Sequence, residues 1–361
     1  MPIRIVHVGL GIRGRHWLEF VREYPDAVTV ACVDADPQAI EAARHNHTSN
    51  DCRYFTDLGT ALRTVKADAA LIASPSALHA DQAVKALQAG LAVLIEKPFT
   101  CTVEEARQVI LCARTMDRPV VVAEQFRFVP AERTVRTLVQ EGRLGSIAHV
   151  TFVDRRRMPS HTQGPWMATL GYPQLQEIAV HHFDSLRSFF NRRPLNIMAR
   201  VWNPPWSDYR QGACTEALIE MEGGLHVQYL GTLTSHRFSY SVWIEGERGV
   251  VWTNRKWVLW RPRGKRFFWP VKLVKVPRGD EAPFPREGST SLLQSLRDAV
   301  LVGRQPETSG ADNIWTLAMV QAGMQSAAEH RVVSIADVFA QAQLTANHQG
   351  EVIFHASPAS A

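Results

Sequence analysis

The sequence predicts an α/β protein of two domains: an N-terminal doubly wound parallel sheet, then an α/β domain built on a large, mostly antiparallel open sheet. Three observations carry this. A chain of 361 residues exceeds what a typical single core supports. Its first third alternates short, continuously apolar runs with helical patterns, as strands buried on both faces of a parallel sheet do. After about Glu124 the runs lengthen and alternate apolar with polar residues, as strands with one packed and one wet face do.

In chain order, "RIVHVG" reads as the first strand, and Arg15 to Tyr24 as a helix with Trp17, Phe20 and Val21 on one stripe. "AVTVACVD" is the second strand, and Pro37 opens a helix that runs to His47. "DAALIAS", "LAVLIE" and "RPVVVAE" are three further strands, separated by helices over Leu78 to Ala89 and Val103 to Met116. These elements form a first domain over 1–124. A second domain over 125–345 begins with a helix (Pro130 to Glu141), the turn "GRLGS" and a strand over Ile147 to Asp154. A helix over Gln174 to Phe190 precedes "CTEALIEMEG", "LHVQYLGTLT", "YSVWIEG" and "GVVWTN", the strands of the open sheet. Helices near Ser291 to Val302 and Asp312 to His330 follow, and 346–361 is a tail, frayed at its end.

Composition is that of a soluble globular protein, 45% hydrophobic and 21% charged. Met1 leads straight into an apolar strand without a signal-like segment, and no apolar run approaches the roughly 20 residues that span a bilayer. A cytoplasmic chain with no membrane partner is expected. The five cysteines are scattered and never in CxxC spacing, which predicts reduced thiols and no metal site. A formal charge of +5 suits an anionic cofactor without arguing for nucleic acid. The basic and aromatic stretch Arg261 to Arg278, with Phe267, Phe268 and Trp269, reads as a hairpin. One face would be cationic and solvated, the other packed on a sheet or a partner subunit, in preference to a nucleic-acid surface.

"HVGLGIRGRHW" sets Gly9, Gly11 and Gly14 in GxGxxG spacing between the first strand and the first helix. The first glycine permits the tight turn, the second lets a pyrophosphate approach the backbone, and the third lets helix and strand pack closely. The helix N-terminus then faces the phosphates. Asp34 ends the second strand about 20 residues on, where an acid accepts the adenosine ribose hydroxyls and repels a 2′-phosphate. This favours NAD over NADP, although Arg13 or Arg15 offers a phosphate partner, and Asp34 also reads as a cap or turn residue ahead of Pro37. "ASPSALH" (Ser74, Pro75, His79) and "EKPF" (Glu96, Lys97) follow two other strands, and ligands of doubly wound sheets bind outside such strand ends. Pro98 biases Lys97 toward an extended conformation. An ion pair with Glu96 would account for Lys97 as well as chemistry would.

"EIAVHHFDSLR" is the third cluster. On one regular helix, Glu177, His181 and Asp184 recur at i, i+4 and i+7 on a single face, with His182 about a quarter-turn away. Such a face lines a polar cleft between domains or is simply solvated. A metal reading lacks a further ligand cluster.

"VGLGIRGRHW", "ASPSALH", "LAVLIEKPFT", "QFRFVP", "GRLGSI" and "VHHFDSLRSF", with the late "DAVLVGRQPETSGADNIWTLAMVQAGMQSA", resemble the glucose-fructose oxidoreductase / inositol dehydrogenase family from about Ile3 to Ile335. The resemblance implies a Rossmann domain that contacts NAD through the glycine loop with Ile12 and Arg13, through Asp34, Ser74, Pro75 and His79, and through Glu96, Lys97 and Gln125. It implies that Lys97 touches both nicotinamide ribose and substrate and that His181 shuttles the substrate proton. Arg127, Trp166, Tyr172 and Asp184 become candidate substrate contacts. Many members carry Asp four residues before that histidine, where this chain has Glu177, which becomes the third candidate catalytic residue. A glycine pair often found just upstream is replaced by "TLGYPQLQ". The expected activity is hydride transfer between nicotinamide and a secondary alcohol of a sugar, inositol or related polyol, by a homodimer or homotetramer joined through the C-terminal sheet. Two alternatives from the same family are an enzyme using tightly held NAD transiently for epimerisation, elimination or glycosidic cleavage, and a non-catalytic NAD- and sugar-binding regulator.

Overall fold

The computed structural model describes residues 1–46, 51–162, 165–264, 272–274, 286–347 and 349–355. The chain divides into two compact units, Met1–Gln125 with Asp280–Ile314, and Phe126–Gly279 with Trp315–Ala361. The sequence boundaries kept 125–345 together, whereas a return segment clusters with the first unit. The cause is packing and pairing. Helix Ser289–Val302 buries Leu292, Leu293 and Leu296, and the Val122 N–H donates to the Thr308 carbonyl at 2.7 Å.

In the first unit, six described strands run parallel: β1 (Ile3–Val8), β2 (Ala27–Val33), β3 (Arg53–Phe55), β4 (Ala69–Ile72), β5 (Ala92–Ile95) and β6 (Val120–Val122). Their order is β3-β2-β1-β4-β5-β6. Every residue of β4, β5 and β6 is buried, as continuous apolar runs covered on both faces require. The order reverses between β1 and β4, and a crevice outside the carboxyl ends of strands at such a switch point receives ligands. β3 and the helix Leu58–Thr64 had no counterpart in the sequence reading. The helix starts where the Asp57 carboxylate accepts the Thr60 N–H at 2.7 Å.

The second unit is built on nine described strands: β7 (Ile147–Arg157), β8 (Pro194–Trp202), β9 (Cys214–Met221), β10 (Leu225–Thr232), β11 (Thr234–Gly246), β12 (Gly249–Thr253), β13 (Val258–Pro262), β14 (Lys272–Val274) and β15 (Val333–Ser334). They lie in the order β14-β13-β12-β11-β7-β10-β9-β8-β15, antiparallel except for the β7–β10 pair. Alternation along β9 and β10 buries Ala217, Ile219, Val227 and Tyr229 on one face and leaves Leu218, His226 and Gln228 wet on the other. A short hairpin of β16 (Leu344–Ala346) and β17 (Val352–Phe354) follows. β13 and β14 pair antiparallel, as the hairpin reading of Arg261 to Arg278 expects. Phe267, Phe268 and Trp269 lie outside the described residues, as do His47 and the last six residues of the tail.

The expected regular helix from Gln174 to Phe190 needs correction. Gln174–Ala179 forms a π-helical turn, and the α-helix proper spans Val180–Phe190. The buried Gln174 amide is drawn inward to donate to the Tyr229 hydroxyl at 2.6 Å. Gly231 makes room for it, because a Cβ there would stand 1.8 Å from Gln174 Nε2 and 2.6 Å from the Tyr229 oxygen. Gly231→Ala is therefore expected to destabilise the protein by about 1–3 kcal/mol, as overpacking does. Equilibrium urea unfolding measures this, and a variant as stable as the wild type would contradict the packing described.

Candidate functional site

In the first unit the glycine loop is cut to fit its surroundings. Gly9 has φ +91°, and a Cβ on it would lie 2.5 Å from the Ser74 nitrogen. A Cβ on Gly14 would lie 2.0 Å from the Gly9 carbonyl oxygen, while among the described residues nothing stands within 4 Å of one on Gly11. Two glycines thus close the loop, and the middle one faces open space at the N-terminus of helix Ile12–Glu23, which has no side-chain cap. Backbone donors and the positive helix end suit an anion there. Ile12 is exposed beside it.

The Asp34 carboxylate accepts the Leu10 N–H at 2.7 Å and the Asp36 N–H at 2.9 Å, one on each oxygen. Asp34 therefore organises the loop and retains lone pairs for two further hydroxyl donors. The turn role of this residue is met through the Asp36 N–H, while the helix that Pro37 opens is capped by Asp36, whose carboxylate accepts the Gln38 N–H at 2.9 Å. The cations that the sequence offered to a phosphate are turned elsewhere: Arg13 Nε donates to Glu96 at 2.5 Å, and Arg15 donates to the Leu10 carbonyl at 3.3 Å. The residues present fit a dinucleotide with a free ribose diol.

Glu96 closes β5 with 5% exposure. It accepts from Arg13, from the Trp17 indole at 2.6 Å and from the Lys97 backbone N–H at 3.2 Å. Burial pushes its carboxyl upward most strongly. The Arg13 and Lys97 charges, with the hydrogen bonds, outweigh burial and hold it below the usual carboxylate range. The Lys97–Pro98 peptide is cis. Buried His79 links two strand ends, with ring nitrogens 2.9 Å from the Pro98 oxygen and 3.0 Å from the Ser74 oxygen. Burial lowers its pKa, only partly countered by those carbonyls. The Ser74 hydroxyl donates to Gln82 at 2.5 Å, and Pro75 precedes the turn that leads to His79. Gln125 is buried just beyond β6, and its side-chain oxygen accepts no hydrogen bond among the described residues.

In the second unit Glu177, His181 and Asp184 are all buried, which rules out a solvated helix face. They do not form one polar row. Asp184 is taken by Arg127, bidentate at 2.5 and 2.7 Å, and by the Thr316 hydroxyl at 3.0 Å. Both groups of that ion pair are buried, so the two candidate substrate contacts Arg127 and Asp184 hold each other. Glu177 lies in the π-helical turn ahead of His181. His181, 5% exposed, stacks on Phe126 with ring centroids 4.4 Å apart. Trp166 is half exposed on the short helix Pro165–Thr169, and Tyr172 is half-buried just before the π-helical turn.

Behind them is a polar cluster that sequence reasoning missed. His182 Nδ1 lies 2.8 Å from the Tyr229 hydroxyl, and Arg156 donates to Asp154 at 2.6 Å. Burial, then the Arg156, His181 and Arg255 charges, depress the His182 pKa well below its usual value. Burial raises that of Asp154, with Arg156 pulling it back in part. A signal was present: Asp154 occupies an inward-facing register of β7, where a charge is costly unless paired.

A doubly wound sheet whose first crossover carries such a loop, with an acid just beyond the second strand, defines a dinucleotide-binding class. Comparison with known proteins narrows it. Residues 3–124 match the family model described as an oxidoreductase family with NAD-binding Rossmann fold, and residues 133–252 match the GFO/IDH/MocA C-terminal domain. The chain belongs to that family and is an NAD-binding oxidoreductase. It is 24% identical over 357 residues to D-apiose dehydrogenase of Paraburkholderia graminis, covering 96% of this chain and 93% of that protein. It is 23% identical to inositol 2-dehydrogenase of Rhizobium meliloti, covering 93% of this chain and 100% of that protein. A crystal structure of an oxidoreductase from Agrobacterium radiobacter in complex with NAD+, L-tartaric acid and magnesium superposes with a TM-score of 0.83 at 19% identity, over 93% of this chain and 99% of that one. No helix among the described residues is long and apolar enough to cross a membrane.

The buried neutral His182 makes stability depend on pH. In the unfolded chain it takes a proton near its ordinary pKa of about 6.5, which the folded chain resists. Below that value the unfolded state binds more protons, so stability is lost as pH falls. Wild type is expected to lose stability relative to His182→Gln between about pH 7 and about pH 5. Parallel pH dependences in urea unfolding would contradict this.

Proposed function

We propose that this protein catalyses NAD-dependent oxidation of a secondary alcohol of a sugar, inositol or related polyol, with Lys97 and His181 as its catalytic residues. The observation that carries the reading is the buried Glu96 at the end of β5, whose partners fix the backbone of Lys97 beyond a strand end of the cofactor sheet. The dehydrogenases named for D-apiose and inositol among its relatives support the substrate class. Bound NAD supplies the hydride acceptor. His181 takes the hydroxyl proton as general base and returns it in the reverse direction. The Lys97 ammonium stabilises the developing alkoxide. Glu177 orients the substrate hydroxyls from the turn ahead of His181, Trp166 and Tyr172 contribute substrate contacts, and Arg127 with Asp184 braces their side of the site. Gly9, Gly11, Ile12, Arg13 and Gly14 receive the pyrophosphate end of the cofactor, Asp34 the adenosine ribose, and Ser74, Pro75, His79, Glu96 and Gln125 the nicotinamide half.

We further infer a homodimer or homotetramer joined through the outer face of the nine-stranded sheet, where Met198, Leu218 and Trp243 stand 37%, 56% and 42% exposed. Five cysteines that are all free thiols suit a cytoplasmic setting. Nucleic acid is not a partner in this reading. A monomer on sedimentation would count against the interface.

Purified protein assayed for NAD reduction over a panel of polyols and sugar acids tests the activity; no reduction with any of them would overturn it. On the best substrate, Lys97→Ala or His181→Ala should lower kcat by roughly two to four powers of ten, with little change in NADH affinity. Near wild-type single-turnover rates in either variant would remove that residue from the chemistry. Asp34→Ala should weaken NADH and improve NADPH relative to it, because the carboxylate that accepts the ribose diol also repels a phosphate. Fluorescence titration measures both, and a wild type that prefers NADPH would contradict the assignment.

A further inference from the structure

We propose that Arg255 is a positioning residue for His181, acting through the ring of Phe126; this rests on the reading of His181 as the group that moves the substrate proton. The whole arrangement lies in the second unit. The His181 and Phe126 rings stack with centroids 4.4 Å apart and an interplanar angle of 24°. The Arg255 guanidinium carbon stands 3.6 Å from the Phe126 centroid. At those distances the two groups cannot share one face of the ring without overlapping. Imidazole and guanidinium therefore sandwich the phenyl ring, which is itself buried.

The setting of Arg255 points the same way. It sits in the turn between β12 and β13 with φ +66°, a left-handed conformation that glycine or asparagine adopts with less strain. The turn holds it there: its N–H donates to Thr253 Oγ1 at 3.0 Å, and that buried hydroxyl donates to the Trp257 carbonyl at 2.8 Å. A turn side chain ordinarily points to solvent, yet this one is 13% exposed. Its guanidinium also lies 5.3 Å from the Tyr240 ring centroid and 4.0 Å from Glu132, which accepts the Tyr240 hydroxyl at 2.7 Å. On the chain side, Phe126 directly precedes Arg127, whose guanidinium is held by Asp184. The platform under His181 is thus gripped at its backbone by one ion pair and on its far face by one cation–π contact. Without the second grip the ring can tilt, and the imidazole stacked on it turns away from the geometry proton transfer needs.

The test compares R255M, R255K and F126L with wild type and H181A. kcat and KM for the best polyol are measured separately, and the His181 ring-proton resonances, assigned by their absence in H181A, report the ring current of Phe126. R255M is expected to lower kcat about ten-fold or more, to leave KM for NAD within about two-fold, and to move the His181 resonances toward those of F126L. R255K, which keeps the charge and loses the flat guanidinium, should recover part of both effects. If R255M does not fold, R255Q keeps a planar polar group without charge on a shorter side chain and carries the same expectation. Wild-type kcat together with unshifted His181 resonances in the charge-free variant would overturn the proposal. Should H181A itself keep wild-type kcat, the functional reading fails, and the resonances alone then decide whether Arg255 orients the imidazole.

Discussion

A carboxylate buried at the end of a strand is the constraint on which the cofactor side of this protein depends. An ion removed from water loses several kcal/mol of solvation unless charge and hydrogen bonds replace it. Glu96 finds both in Arg13, the Trp17 indole and the Lys97 N–H. Three consequences follow from one group. The first helix is tied to the end of β5, the Arg13 side chain is drawn toward Glu96 and not offered to a ribose 2′-phosphate, and the backbone of Lys97 is fixed. The second unit repeats the logic. Asp184 is buried, and Arg127 with Thr316 satisfies it, which sets the chain direction at Phe126 and so the surface against which His181 lies.

What was legible in the sequence was local. The glycine spacing, Asp34 and the Glu-Lys-Pro triplet carry their meaning within a strand and the turn after it, and the structure supplies the contacts that such turns require. Continuous apolar runs marked β1, β2, β4, β5 and β6, because burial on both faces leaves no other composition. β3 spans only Arg53–Phe55, too short for any period to emerge. The π-helical turn escaped because apolar spacing over a single turn does not distinguish i+4 from i+5 bonding. The Arg127–Asp184 pair and the stack through Arg255 are tertiary. Their members are far apart in sequence, and nothing local to Arg255 distinguishes it from an ordinary cation in a hairpin turn. The same holds for the return of Ser289–Val302 to the first unit, since helical periodicity shows that a face is buried and not which core receives it.

The π-helical turn bears on the chain's departure from its family's pattern. Glu177 stands where many members carry aspartate, and side-chain length alone would shift the carboxylate by one C–C bond. Here the residue also sits in a π-helical turn ahead of the helix that carries His181, so backbone as well as side chain sets where its carboxylate stands. Substrate preference is therefore expected to reside in this turn and in the segment carrying Trp166 and Tyr172, while cofactor binding is expected to rest on the glycine loop and Asp34. The division is physical: pyrophosphate and ribose recognition depends on backbone geometry that tolerates little change, whereas hydroxyl recognition depends on side chains that can vary one at a time.

The central claim is that the reaction is a net hydride transfer from a polyol carbon to NAD. Incubating the protein with NAD and the polyol it turns over, deuterated at the carbinol carbon, tests this most directly. The reduced nicotinamide released to solution should carry the deuterium at its transferable position, in step with ketone formation. Product formed with no labelled NADH in solution would contradict the claim and mark the cofactor as a transient acceptor in a different reaction.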